Sequence, residues 1–253
     1  MPNQTSRELN FAPPEKKLPL PGEVFRVKEH VAFIIPTKRD SHGRHVPWVW
    51  YAPTLPNLPG PEENWMFERF LEAGIAIAGI DVGESYGSPD GRALFTAFYD
   101  EMTRNRGFAR KPVLLGRSRG GLMTLCWAAE NAGKVGGFAG IYPVCNIASY
   151  PGLKNASGAY HLTEEEFAAH LKEHNPVDRL ERLAKARVPL FAIHGDVDQV
   201  VPLEQNSGLL KARYDALGGK MQLSVIKDQG HNMWSGFFQC QELVDFILKN
   251  ARP

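Results

Sequence analysis

Two copies of the pattern Gly-x-Ser-x-Gly stand in this chain of 253 residues. A serine framed in that way can serve as a covalent nucleophile. One copy is Gly83-Glu84-Ser85-Tyr86-Gly87 and the other is Gly116-Arg117-Ser118-Arg119-Gly120. The glycines let a strained turn approach its neighbours where a Cβ would collide. A nucleophile elbow also needs a strand running straight into it and a helix starting directly behind the serine. Ser118 has both: Pro-Val-Leu-Leu-Gly reads as a buried strand, and GGLMTLCWAAE continues as a helix. Ser85 is followed by Ser-Pro-Asp-Gly, a turn. Ser118 is the expected nucleophile. Ser85, Glu84 and Tyr86, just past the end of a strand, are expected in the wall of a ligand crevice.

A serine hydroxyl needs a general base within hydrogen-bond reach. Of the eight histidines, His42 and His45 fall in an early polar connection, and His161, His170 and His174 in a long inserted stretch. All five are expected to face solvent. His30 begins a strand and His194 ends one. His231, in Lys-Asp-Gln-Gly-His-Asn-Met-Trp, follows the last strand and is the expected base. An acid that fixes the imidazole tautomer should lie between them in sequence. Asp196 and Asp198 compete in His-Gly-Asp-Val-Asp-Gln-Val-Val-Pro. Asp198 sits deeper in the turn, and Asp196 reads as a turn-capping residue. The oxyanion formed on attack needs two donors. One is the backbone N–H of Arg119; the other should come from Tyr51-Ala52-Pro53-Thr54. Proline has no N–H, which leaves Thr54.

The elements that must position these groups are legible in the hydrophobic pattern. Residues 1–22 read as an extended arm, and residues 23–253 as one domain. Three β-like runs come first, Glu23–Val27, Val31–Ile35 and Pro47–Ala52, with the polar KRDSHGRH connection suggesting a hairpin between the second and third. Helical and strand patterns then alternate: helix Asn64–Ala73, strand Ile75–Asp81, helix Arg92–Arg104, strand Pro112–Leu115, helix Gly121–Glu130, strands Gly137–Val144 and Val188–His194, helix Pro202–Leu217, strand Gln222–Ile226 and helix Phe238–Asn250. That alternation implies an α/β class: a mostly parallel sheet with antiparallel N-terminal strands and helices on both faces. Residues 146–175 break the rhythm and read as a short inserted lid carrying a helix in TEEEFAAHLKEH.

Composition removes other function classes. The formal net charge is +1, which offers no electrostatic footprint for nucleic acid or an anionic membrane. No apolar run reaches membrane-spanning length, and the polar, proline-rich N-terminus has no apolar h-region from which a signal peptide would be read. The cytoplasm is the default compartment, a secreted chain that has shed its leader being the alternative. Cys126, Cys145 and Cys240 are too few and too scattered for a disulfide framework and read as free thiols. No His/Cys/Asp set has metal-ligand spacing, so neither a metal nor an organic cofactor is expected.

The whole chain from about Glu23 resembles the α/β-hydrolase superfamily. GRSRGGLMTLCWAAENAGKVGGFAGIYPVCN and PLFAIHGDVDQVVPLEQNSGLLKARYDALGGKMQLSVIKDQGH look like the catalytic domain of prolyl-oligopeptidase-type hydrolases and related single-domain esterases. The resemblance implies Ser118 as nucleophile, Asp198 as acid and His231 as base, in the chain order that α/β-hydrolases use. The glycine-rich HGGG run of many members is absent. Prolyl oligopeptidases also carry a β-propeller, for which 253 residues leave no room, and this turns the expectation toward an esterase acting on a small-molecule ester. The alternatives are a small peptidase or amidase with the same triad, and a non-catalytic binding protein of the same fold. Arg117 and Arg119 beside the nucleophile read as partners of carboxylates such as Glu84 or Asp81, or as a clamp for an acidic substrate. Among the aromatics, Trp48, Trp50, Tyr51, Trp65 and Tyr142 are expected in the core, while Tyr150 and Trp234 are expected at the pocket.

Overall fold

The run Trp48–Ala52 is apolar on both faces, and a strand of that kind must lie inside a sheet covered on both sides. A computed structural model, in which residues 15–38 and 45–251 are described, places it there. The chain forms β1 (Glu23–Val27), β2 (His30–Ile35), β3 (Trp48–Ala52), α1 (Asn64–Glu72), β4 (Ala76–Ile80), α2 (Pro89–Asp100), β5 (Val113–Arg117), α3 (Arg119–Glu130) and β6 (Gly137–Ile141). A long excursion follows with three short helices, α4 (Leu153–Ala156), α5 (Glu164–Ala169) and α6 (Leu171–His174). The remainder is α7 (Glu181–Lys185), β7 (Leu190–Gly195), α8 (Ser207–Ala216), β8 (Met221–Ile226), α9 (Ser235–Phe238) and α10 (Gln241–Asn250).

The eight strands form one sheet in the order β1-β2-β4-β3-β5-β6-β7-β8. β2 is antiparallel to both β1 and β4, and every other pair is parallel. This is the α/β-hydrolase fold. One expectation fails: β2 and β3 are not a hairpin, because β4 lies between them. The hairpin is β1–β2, turning at Lys28-Glu29. The polar connection after β2 was the misleading signal. A strand buried on both faces cannot serve as the second arm of an edge hairpin, so β3 goes to the centre. His42 and residues 1–14 of the expected arm lie outside the described residues; residues 15–22 precede β1, with Leu18 and Leu20 packed on the core.

Alternation along β3 divides the core. Trp48, Trp50 and Ala52 face α2 and α3, where Trp50 packs on Trp127 and Phe98. Val49 and Tyr51 face the other layer, built from α1 and α10 with Phe67, Phe70 and Ile247. A third, smaller cluster lies under the excursion, where Tyr160 and Phe167 pack with Leu122 and Cys126 of α3. The expected single helix in TEEEFAAHLKEH is broken at His170 into α5 and α6. The root of the excursion is closed by its own residues: Asn175 Nδ2 donates to Asn146 Oδ1 (3.1 Å) and Ile147 N donates to Asn175 Oδ1 (3.0 Å). Among the described residues no helix is long and apolar enough to cross a membrane.

Candidate active site

Ser118 stands between the last residue of β5 and the first of α3, at φ 49° and ψ −124°. A non-glycine residue in that region carries strain of order 1–3 kcal/mol and is held there by its surroundings. The holding contacts are visible. Ser118 N donates to Ile141 O (3.0 Å), and Ser118 O accepts from Gly121 N (2.9 Å) and Val144 N (2.8 Å). The glycines make these approaches possible. A Cβ on Gly116 would come within 2.6 Å of the Gly121 Cα, and one on Gly120 would strike the Ala52–Pro53 backbone. The second collision shows that the elbow is seated directly on the loop that leaves β3.

The side chain of Ser118 meets a continuous polar chain. Its Oγ lies 2.9 Å from His231 Nε2, and His231 Nδ1 lies 2.8 Å from Asp198 Oδ2. Asp198 is thus the acid that the fold brings to His231, while Asp196, two residues earlier, is exposed. Asp198 comes from the loop after β7 and His231 from the loop after β8, both at the carboxyl end of the sheet, as is Ser118. With Nδ1 against a carboxylate, the proton of a neutral His231 sits on Nδ1, and Nε2 is free to accept from the serine hydroxyl. Burial pushes the Asp198 carboxyl up. Hydrogen bonds from His194, His231 and the Val201 N–H outweigh it and hold the group well below the usual carboxylate range. The imidazole is backed by Tyr142, whose ring lies 4.3 Å from that of His231. Tyr142 itself has φ 34°, and burial pushes its phenol up to about 12 despite the nearby Arg117.

The two arginines beside Ser118 are both paired. Arg119 meets Glu84 at 2.6 Å at the rim. Arg117 turns the other way and meets Glu63 at 2.7 Å, with the Glu63 side chain wholly buried. Glu63 also accepts from the Tyr51 hydroxyl (2.7 Å) and from Gly60 N (2.8 Å). Arg117 reaches Met233 Sδ (3.0 Å), two residues past His231, so one guanidinium ties the elbow to the base-bearing loop. Glu63 escaped sequence reasoning because Pro-Glu-Glu reads as an exposed helix start. Asp81, the other carboxylate considered for the arginines, caps its own loop by accepting from Gly83 N at 2.8 Å.

The remaining expected residues take definite places. Ser85 is buried beneath the start of α2, packed where a Gly91 Cβ would otherwise stand. Tyr86, at φ 48°, and Tyr150 pack on the excursion's cluster. Burial, reinforced by the charge of Glu84 and the neighbouring Tyr150, raises the Tyr86 phenol. Trp234 is exposed, set edge-on to Phe237. Val197, Val200 and Met233 are also exposed, on the same two loops that carry Asp198 and His231. Thr54 is buried, its hydroxyl donating to Tyr51 O (3.3 Å). His45, His161 and His170 are on the surface, but His174 is not a free solvent-facing group. Its ring packs on Tyr160 (4.9 Å) and Phe167 because the excursion has a core of its own. Among the described residues no group of three or more His, Cys, Asp or Glu is arranged to hold a metal ion.

A strained serine on a β5–α3 elbow, facing a histidine and an aspartate from the loops after β8 and β7, is the arrangement of a serine hydrolase. The sequence profile of the prolyl oligopeptidase family matches residues 95–251, more than half of the chain and the segment that contains all three groups. The chain belongs to the prolyl oligopeptidase family. No curated protein matches this family member in sequence. Among solved structures, dipeptidyl peptidase 4 of Porphyromonas gingivalis is similar with a TM-score of 0.74 at 18% identity, over 91% of this chain and 36% of that one. The chain thus spans little more than a third of the length of that peptidase. Est1E of Butyrivibrio proteoclasticus matches with a TM-score of 0.66 at 16% identity, over 90% of this chain and 98% of that one. An S-formylglutathione hydrolase of Agrobacterium tumefaciens matches with a TM-score of 0.70 at 14% identity, over 91% and 92%. At these identities the likeness between the family member and its neighbours is one of fold.

Proposed function

We propose that this protein is a serine hydrolase that cleaves carboxylic esters of small or medium acyl groups through an acyl-enzyme. The observation that carries the reading is the Ser118–His231–Asp198 chain, with the serine held at φ 49°. Ser118 Oγ attacks the acyl carbonyl while His231 Nε2 takes its proton; Asp198 keeps His231 in the right tautomer and stabilises the imidazolium. The Arg119 and Thr54 amides receive the oxyanion. His231 then returns the proton to the departing alcohol, and water, activated by the same base, releases the acid. No metal or organic cofactor enters this sequence. Because the leaving group takes its proton from His231, it lies beside that ring, over Met233 and Trp234. The acyl group lies on the side of Glu84, Tyr86 and Tyr150. The partner is a small neutral ester.

Ester cleavage is the less demanding use of this machinery, since an alkoxide leaves more readily than an amide anion and an amide nitrogen must be protonated before its bond to carbon breaks. A second reading, a peptidase or amidase with the same triad, is favoured by the family and by the peptidase among its fold neighbours. Rates on p-nitrophenyl acetate and butyrate against proline-containing amides separate the two. The underlying hydrolase reading is tested by a fluorophosphonate probe. Wild type and Ser85→Ala should label, and Ser118→Ala should not. A wild type that labels no faster than Ser118→Ala makes this a non-catalytic binding protein.

A further inference from the structure

His194 is the last-but-one residue of β7, and its side chain is wholly buried. The histidine reacts with nothing, yet it touches the same carboxylate oxygen as the base. His194 Nε2 lies 2.8 Å from Val201 O and 3.3 Å from Asp198 Oδ2, and Nδ1 lies 2.8 Å from Ser207 Oγ. Two acceptors face Nε2, so Nε2 carries the hydrogen; Nδ1 of the neutral ring then accepts from the Ser207 hydroxyl. The carboxylate is thereby surrounded. Oδ1 accepts from Val200 N (2.9 Å) and Val201 N (2.8 Å), while Oδ2 faces His231 on one side and His194 on the other.

We propose that His194 is a positioning residue for the acid of the triad, holding Asp198 Oδ2 aimed at His231 and held in turn by Ser207. The inference rests on the hydrolase reading above for its catalytic meaning, and on the buried 3.3 Å contact between His194 Nε2 and Asp198 Oδ2 for its structural content. The support continues beyond the ring. Ser207 opens α8, and its neighbour Asn206 grips the root of the excursion, Oδ1 accepting from Cys145 N (2.9 Å) and Asn146 N (3.2 Å). One helix start therefore fixes both the histidine behind the acid and the base of the inserted segment. Val200 N and Val201 N hold Oδ1, so what His194 supplies is the second polar neighbour of Oδ2; without it the charge on Oδ2 falls more heavily on His231. The charged or titratable groups facing Asp198 are His194 from β7, His231 from the loop after β8 and the Tyr142 phenol from the end of β6.

The test uses the full chain with His194→Leu, His194→Gln and Ser207→Ala. Three readouts are taken: kcat and KM for p-nitrophenyl butyrate across pH, the downfield proton resonance of the His231 Nδ1–H bonded to Asp198, and the melting temperature. In His194→Leu, kcat should fall roughly 10–100-fold with KM little changed, as for other outer partners of catalytic groups. The acidic limb of kcat/KM should move to higher pH, and the downfield resonance should shift or broaden. His194→Gln, whose amide can present an N–H to the same oxygen, should recover most of the rate and the resonance. Ser207→Ala should show the same changes in smaller measure. A His194→Leu protein that melts earlier but keeps the wild-type kcat, acidic limb and resonance overturns the proposal. Should that variant not fold, an unchanged limb and resonance in Ser207→Ala overturns it equally. The resonance needs no turnover, so an inactive wild type would sink the esterase reading while the resonance still judges His194.

Discussion

The carboxylate of Glu63 lies 2.7 Å from the guanidinium of Arg117, joining the start of α1 to the residue before Ser118 across 54 positions of sequence. Glu63 is fully buried and Arg117 nearly so, and the pair is further bonded to Tyr51, Gly60 and Met233. Burial by itself would lower the Arg117 guanidinium. The facing Tyr51, Glu63 and Tyr142 more than offset this, and the group stays protonated at any working pH.

Removing one member of such a pair leaves the other charge buried without a partner. Glu63→Ala should therefore cost about 3–5 kcal/mol of stability, measured by urea unfolding. Glu63→Gln should cost less, because the amide still accepts one hydrogen bond. A loss under 1 kcal/mol for Glu63→Ala, roughly what an exposed pair gives, would mean that the pair is solvated after all.

The proposed second oxyanion donor is tested by a pair of substitutions that both remove the Thr54 hydroxyl while only one removes the backbone N–H. Thr54→Ala keeps the backbone N–H and should keep most of the activity. Thr54→Pro deletes the N–H and should lower kcat by about 10²–10³-fold, the loss seen when one such donor is removed elsewhere. Circular dichroism must show both variants folded. Equal activity in the two would move the donor off Thr54.

Acid stability should report Asp198. The carboxyl is held below its ordinary value in the folded chain, whereas an unfolded aspartate titrates near ~3.9. The unfolded state therefore takes up the proton first as pH falls. The stabilisation is fully present above about pH 5 and is lost progressively as pH drops toward the folded value. Unfolding free energies measured between pH 6 and pH 3, a range on the order of that window, should fall more steeply for wild type than for Asp198→Asn. Parallel curves would remove the depressed carboxyl from the account.

What could be read in advance divides along a physical line. That Ser118 and His231 would be brought together was legible because each is the residue type expected at a fixed place in a strand–turn–helix order. Asp198 was favoured over Asp196 by its depth in the turn and by the family resemblance. That the arginines beside Ser118 meet carboxylates was legible in part, since Glu84 and Arg119 both follow strand ends on the same side of the sheet, those of β4 and β5. Glu63 and His194 were not. Each is ordinary in its local sequence and acquires a role only when the sheet brings a distant group against it. The β2–β3 hairpin failed because a polar linker says nothing about which strand will insert between the two it joins. His174 failed because a polar-looking segment had its own buried ring cluster.

The stitched root of the excursion carries a different consequence. Asn146 and Asn175 bond side chain to side chain, so the thirty residues from one to the other leave and return to the body of the fold through one polar clasp. The cost of closing a loop grows only as the logarithm of its length once its ends are fixed. The segment between the clasp residues is thus a cassette. Its exposed residues can change in number and type while β6 and β7 keep their pairing, provided Tyr160 and Phe167 still cover Leu122 and Cys126 of α3.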